Sequence, residues 1–225
     1  MKLSVGEVWN AITAACVLVL TVVVVSRARG SGSDTAPAGM GRVAAIDSAL
    51  WGELVQSRLA FGKGGDIEIV QFSDFECPAC RGFSDRVIQR LKSDSASDVR
   101  FSFRHYPLSY HRFALPAARA ALCAAEQNRF WEMHDALFSA ADSFGLKPFE
   151  DVARVAEVPS LAAFNECVAA PRTDSLVKHD IELGRRIGIN KTPTIVINGE
   201  VLESTPTLGQ LMARIEAYRR AVRSN

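Results

Sequence analysis

Two cysteines two residues apart, Cys77-Pro78-Ala79-Cys80, fall where one hydrophobic pattern changes into another. Upstream, Asp66 to Phe72 reads DIEIVQF, a β-type run; downstream, Phe83, Val87, Ile88 and Leu91 repeat at helical spacing. VRFSFR at 99–104 then alternates as a half-buried strand does. The order strand, CxxC, helix, strand predicts a βαβ unit with the cysteines at the first turn of its helix. A thiol gains most there, because the unpaired N–H groups and the macrodipole favour negative charge. The thiolate is the nucleophile of disulfide exchange. Cys77 is therefore expected as the exposed attacking thiol, and Cys80, one turn further in, as the buried thiol that resolves a mixed disulfide. A zinc half-site and a purely structural disulfide are the competing readings. Zinc needs two further ligands, yet there is no second CxxC, and His105, His111, His134 and His179 are scattered. No metal and no cofactor are expected.

The rest of the chain predicts an α/β fold. Ile46, Leu50, Leu54 and Leu59 suggest a leading helix within 42–61. Pro116 followed by the Ala-rich 117–127, then Phe130, Met133, Leu137 and Phe138, mark two helices. Two short helices at 149–158 and 160–168, and one at 172–187, complete a helical block. Thr194 to Ile197, Asn198-Gly199 and Glu200 to Leu202 read as a hairpin. The closing helix carries Leu208, Leu211, Met212, Ile215 and Tyr218 on one face, with Thr207 and Gln210 at capping-box spacing. A βαβ unit, a helical block and a ββα unit describe α/β architecture with an inserted helical subdomain.

The first 41 residues differ in kind. Ala11 to Val25 lacks charge and spans only ~22 Å as a helix, short of a ~30 Å hydrocarbon core; extension back to Val5 supplies the length. Residues 1–29 are expected as a cytoplasmic tip and transmembrane signal-anchor, with the membrane contacted through residues 5–26. Arg27 and Arg29 at the Ser26-Arg27-Ala28 junction favour retention over cleavage. GSGSDTAPAGMG at 30–41 reads as a flexible linker. Lys2 and the amino terminus against Arg27 and Arg29 lean towards a cytoplasmic C-terminal domain. The cysteines lean the other way. Beyond Cys16 in the apolar run there are four, an even count that suggests two pairs in an oxidising compartment. Two buried free thiols at Cys123 and Cys167 are the alternative. A net charge of +1 with dispersed basic residues argues against a nucleic-acid partner.

DFECPAC at 74–80, CAAEQNRFWEMHDALF at 123–138 and TPTIVINGE at 192–200 resemble, in that order, the DsbA-like branch of the thioredoxin superfamily. The likeness runs from about Gly62 to the C-terminus. It implies a thioredoxin-like domain over 62–225 with the helical insertion at about 108–188, preceded by the transmembrane helix. It also implies a cis bond at Thr192-Pro193 facing Cys77, where the Thr192 backbone would pair with a substrate peptide. Pro78 and Ala79 form the spacer. Cysteine-containing protein substrates follow from it, as does a membrane redox partner that reoxidises or reduces the pair. Tethered members face the periplasm or exterior, and some carry a second cysteine pair. A Cys123–Cys167 disulfide closing a loop of 44 residues is thus expected. The chain departs from strongly oxidising relatives in having neutral Ala79 in the spacer, which predicts a less acidic Cys77. Thr192 is a residue type found with isomerases as well as oxidases.

Among nearby acids, Glu68 inside the apolar strand is the candidate proton acceptor for Cys80, and Asp74 and Glu76 read as solvated loop acids. The expected function is a membrane-anchored extracytoplasmic thiol–disulfide oxidoreductase acting as an oxidase. An isomerase or reductase is the alternative within the enzyme class. A non-catalytic tethered binding module is the alternative outside it, and the intact CxxC argues against that.

Overall fold

A computed structural model of the chain describes residues 42–93 and 98–224. The expected signal-anchor and linker, 1–29 and 30–41, lie outside the described residues. Six strands form one sheet: β1 (Arg42–Ala45), β2 (Ala60–Phe61), β3 (Ile67–Ser73), β4 (Val99–His105), β5 (Thr194–Ile197) and β6 (Glu200–Leu202). Their order is β1-β6-β5-β3-β4-β2. Only β3 and β4 run parallel; the other neighbours are antiparallel.

The crossover between β3 and β4 begins as α1 (Pro78–Phe83), widens into a π-helical turn over Ser84–Ile88, and ends as α2 (Gln89–Ser93). Its buried Phe83, Val87, Ile88 and Leu91 pack on Ile67 and Ile69 of β3 and Phe101 of β4. Leu211 and Ile215 of the last helix, Leu208–Arg223, join them on the same sheet face. That helix starts at the capping box read from the sequence, with Thr207 and Gln210 satisfying each other's backbone N–H. The Asn198-Gly199 turn has φ of 45° and 80°, the left-handed pair a tight hairpin demands.

The opposite face carries Val70 and Phe72, packed against Leu50 and Leu54 of the helix Ser48–Val55 and against Leu183 of the helix Arg172–Arg186. The leading helix expected over 42–61 is confined to this single short element. Asp47 caps it by accepting from the N–H groups of Ala49 and Leu50. The residues before Asp47 are therefore extended and pair with β6, while Ala60 and Phe61 pair with β4.

β4 also departs from its half-buried reading. Both faces are covered, because the helices of the second face close over Arg104. That guanidinium binds Asp180 at 2.8 Å and the carbonyls of Glu53 and Leu54, so its charge is balanced within the fold. Asp180 also accepts from the His105 N–H at 2.9 Å. Helix Arg172–Arg186 thus belongs to the sheet layers, which shortens the insertion expected at 108–188. A side chain at Gly184 would meet the Tyr106 ring at 2.7 Å, so only glycine admits this approach.

The insertion proper is Ala114–Ala125, Phe130–Ala140, Phe149–Val155 and Leu161–Ala169. Ala117, Ala120, Ala121 and Ala124 let the first of these helices sit close against its neighbours, with Met133, Leu137 and Phe164 filling the core. Cys123 and Cys167 are joined, with Cα atoms 5.6 Å apart and a sequence separation of 44. The chain-entropy effect of such a loop is roughly 4 kcal/mol. Replacing both with alanine is expected to lower unfolding stability by about 2–4 kcal/mol, read by urea denaturation without reductant. An unchanged midpoint would show that the bond only decorates a helix pair already stable alone.

Candidate active site

β3 and β5 pair antiparallel with Phe72 opposite Thr194. The chain leaving β3 and the chain entering β5 therefore meet at one end of the sheet. There Cys77 caps α1 in an extended conformation, with Pro78 in the first turn, where its missing N–H costs nothing. The Thr192-Pro193 bond is cis, and the Thr192 carbonyl accepts from the Cys77 thiol at 3.5 Å. Cys77, Cys80, Thr192 and Pro193 are thus gathered at one point from segments 115 residues apart.

The two sulfurs are inequivalent. Cys80 is fully buried, and Cys77 retains 8% of its surface, less than an exposed attacking thiol was expected to have. Both are thiols and both pack into the cluster of Phe75, Phe103 and Phe138. Burial should make each less acidic, and for Cys80 it does: desolvation, and then the neighbouring Cys77, hold its pKa well above the ordinary thiol value. For Cys77 hydrogen bonds win. The Cys80 thiol, the Thr192 hydroxyl, and the backbone N–H groups of Cys80 and Ala79 together bring it down to about 5. None of these donors needs a charge at position 79, so a neutral Ala79 still permits an acidic Cys77.

Asp74 is not the solvated loop acid its sequence position suggested. It is 2% exposed, and its carboxylate accepts from Glu76 N–H and Leu108 N–H at 2.8 Å and contacts His111 Nδ1 at 2.7 Å. Glu76 accepts from Phe113 N–H. These bonds tie the segment before the motif to the loop that follows β4. Arg81, in α1, makes a paired contact of 2.8 Å with Asp142 of the insertion. The motif is therefore clamped from both sides.

Glu68 is not brought into the site. It sits near the start of β3, paired with Arg100 at 3.4 Å, and five residues of strand, ~17 Å, separate it from Ser73 at the motif end. Burial raises its pKa and Arg100, its direct partner in the β3–β4 ladder, offsets this, as in a cross-strand ion pair. The polar side chains beneath the motif are instead Gln71 and Ser73 of β3 and His105 of β4, all buried. Sequence reading passed over them because Gln and Ser in a strand look like ordinary polar positions. The alternation that aims them at the CxxC helix was nonetheless legible.

Comparison with known proteins agrees with this geometry. Residues 64–217 match the family described as thioredoxin. The Na(+)/H(+) antiporter NhaA 3 of Salinispora tropica is 38% identical over 136 residues, covering 59% of this chain and 20% of that protein. The chain thus spans about a fifth of the length of the curated relatives it matches first. The disulfide bond formation protein D of Bacillus subtilis is 24% identical over 163 residues, 67% of this chain and 71% of that protein. Among solved structures, Pseudomonas aeruginosa DsbA2 superposes with a TM-score of 0.59 at 29% identity, over 71% of this chain and 92% of that one. A thioredoxin-like oxidoreductase from Silicibacter pomeroyi gives 0.61 at 26% identity, over 72% and 91%.

The lowered pKa of Cys77 has two measurable consequences. Alkylation of the reduced protein is expected to modify Cys77 with a midpoint near pH 5 and to leave Cys80 untouched. The hydrogen bonds to the thiolate stabilise the reduced fold fully above about pH 9, the ordinary thiol value. That contribution is lost as pH falls through about 5. Reduced wild type should lose stability relative to Cys77→Ala across that window, read by denaturation at several pH values. Parallel profiles for the two proteins would contradict the assignment.

Proposed function

Because the chain belongs to the thioredoxin family, in its DsbA-like branch, we propose that it exchanges a Cys77–Cys80 disulfide with the thiols of substrate proteins, in the oxidising direction. The observation that carries this reading is the unequal treatment of the two sulfurs at one site. Cys77 is the thiol pulled down to about 5, at the edge of the covered cluster, while Cys80 lies behind it.

A substrate thiolate attacks Cys77 Sγ of the disulfide, and Cys80 leaves as a thiolate and takes up a proton. A second substrate thiolate then attacks the substrate sulfur of the mixed disulfide. The substrate disulfide forms and Cys77 departs. Two electrons pass from substrate to protein. A stabilised Cys77 thiolate is a good leaving group in that last step. It also stabilises the reduced protein over the disulfide, which makes the disulfide more oxidising. The hydrogen bonds at Cys77 therefore favour oxidation of substrates over their reduction.

The location belongs to the same proposal. Residues 5–26 anchor the chain in the membrane, and the domain faces the periplasm or exterior, where a membrane redox partner recharges Cys77–Cys80. The second pair, Cys123–Cys167, supports this, since structural disulfides persist in oxidising compartments.

Equilibration against a glutathione redox buffer tests the direction. The Cys77–Cys80 potential should lie above about −200 mV, whereas a value near −270 mV would identify a reductase. In the same protein, Cys77→Ser should abolish exchange and Cys80→Ser should accumulate mixed disulfides on non-reducing gels. Accumulation with Cys77→Ser instead would reverse the roles.

A further inference from the structure

In the exchange proposed above, Cys80 must exist as a thiolate once in every cycle, and it is the fully buried sulfur of the pair. When a mixed disulfide at Cys77 is resolved, Cys80 loses its proton and its thiolate attacks Cys77 Sγ. The Cys77–Cys80 bond forms and the Cys77–substrate bond breaks. Cys80 is oxidised, and the substrate sulfur is reduced and takes a proton as it leaves. In the oxidising direction the same atoms move in reverse, and Cys80 is the leaving thiolate. Desolvation opposes that anion either way.

Neither Glu68 nor Asp74 is in place to help. Glu68 lies at the far end of β3, and Asp74 already meets two backbone N–H groups and His111. The sheet face under the CxxC helix offers something else. Ser73 and His105 are direct partners in the parallel β3–β4 ladder. By strand alternation they lie on the same face as Ile69 and Phe101, which pack against that helix. Strand neighbours are ~4.8 Å apart, so the two side chains stand next to each other.

Both are 1% exposed. The Ser73 hydroxyl and both ring nitrogens of His105 have no hydrogen-bond partner of standard geometry. Buried polar atoms without partners are rare and call for a reason. Ser73 nevertheless stands close enough to Cys80 to favour its thiolate, as does Thr192.

We propose that Ser73 and His105 form a two-link hydrogen-bond chain that stabilises the Cys80 thiolate: the N–H of neutral His105 donates to Ser73 Oγ, and the Ser73 hydroxyl donates to Cys80 Sγ. His105 does not touch the sulfur; it is a positioning residue that fixes the direction of the serine proton. The chain needs His105 uncharged, and its surroundings keep it so. Its ring packs on Phe75, Phe103 and Phe130. Burial, then His134 from the insertion, then Arg104 from its own strand, bring its pKa down to about 3. Asp135 and Lys92 lie behind His134 and bind each other at 2.9 Å, and Arg81 of the CxxC helix is held by Asp142. A neutral imidazole with one N–H therefore stands beside Ser73 throughout the working pH range.

The test uses the full-length chain in a Cys16→Ala background, with Cys77 and Cys80 reduced and the Cys123–Cys167 bond intact, and an aromatic disulfide reagent that releases a coloured thiolate, followed by stopped-flow absorbance from about pH 6 to about pH 9. The first colour release reports attack by Cys77, and the second reports resolution by Cys80. At neutral pH, Ser73→Ala and His105→Leu should each lower the ratio of second-phase to first-phase rate about tenfold, the effect of losing one hydrogen bond to an ion. The pH profile of the second phase should move up by about one unit. The double variant should be no slower than Ser73→Ala alone, because the two act in series. Ser73→Thr, which keeps the hydroxyl, and His105→Gln, which keeps an N–H donor, should stay close to wild type. Ser73→Ala removes a single oxygen and serves where a His105 variant fails to fold. An unmoved second-phase profile in Ser73→Ala would overturn the chain, and equal losses in His105→Leu and His105→Gln would remove His105 from it. Absence of both colour phases in wild type would instead strike the oxidoreductase reading itself.

Discussion

The pairing of Phe72 with Thr194 is the contact on which the site depends. It sets the antiparallel register of β3 and β5, so the end of one strand and the start of the other must coincide. Cys77 is five residues beyond Phe72 on one chain, and Thr192 is two before Thr194 on the other. A slip by one residue would turn every side chain of β5 to the opposite face. Ile195 and Ile197 would leave the CxxC-helix face, and Val196 would leave the other. Burial on both faces therefore enforces the register, and the register delivers the Thr192 carbonyl to the Cys77 sulfur.

With that geometry in place, a contest between desolvation and hydrogen bonding decides the chemistry. The pair is sunk among Phe75, Phe103 and Phe138, which penalises either thiolate. Cys77 meets enough donors to reverse the penalty, and Cys80 does not. One apolar environment thus yields two thiols of opposite tendency. The clamps around the motif serve the same end. Asp74 secures the approach to the helix, and Arg81 ties the helix to the insertion. Each donor is thereby held in place before any substrate arrives, so little reorganisation is left for the reaction itself.

The insertion is more than an attachment. Phe130, Met133 and Phe138 cover the motif end of the sheet, and Phe103, a strand residue, belongs to their cluster. The Cys123–Cys167 bond holds the alanine-rich helix to the short helix beside it. Arg104 and Asp180 perform the corresponding task on the opposite face, joining β4 to the helix that leads back into the sheet. Breaking that pair one-sidedly would strand a buried charge, which is the costly way to lose it.

Much of this was legible in the sequence because it is local. The strand before Cys77, the helix after it, the Asn198-Gly199 turn and the Thr207–Gln210 capping box are each written within a few residues. Hydrophobic period and turn chemistry act at that range. The short edge strand at Arg42–Ala45 and the π-turn at Ser84–Ile88 were not legible. The first exists only because β6 is there to pair with it, and the second leaves the apolar spacing unchanged. The same limit governs the site. Sequence placed the CxxC pair at a helix start, since helix position and thiol spacing are local facts. It could not say which polar side chain lies below Cys80. Glu68 and Ser73 are both near the motif in sequence, but ~17 Å of extended strand separates them, and only Ser73 reaches the motif end. Ser73 finds His105 across a ladder 32 residues away, and Asp74 finds Leu108 and His111 across a similar gap. Sequence alone marked Cys77 and Cys80 as a spaced pair at a helix start. The tertiary structure decided which groups surround them, because register and burial are settled by contacts distant along the chain.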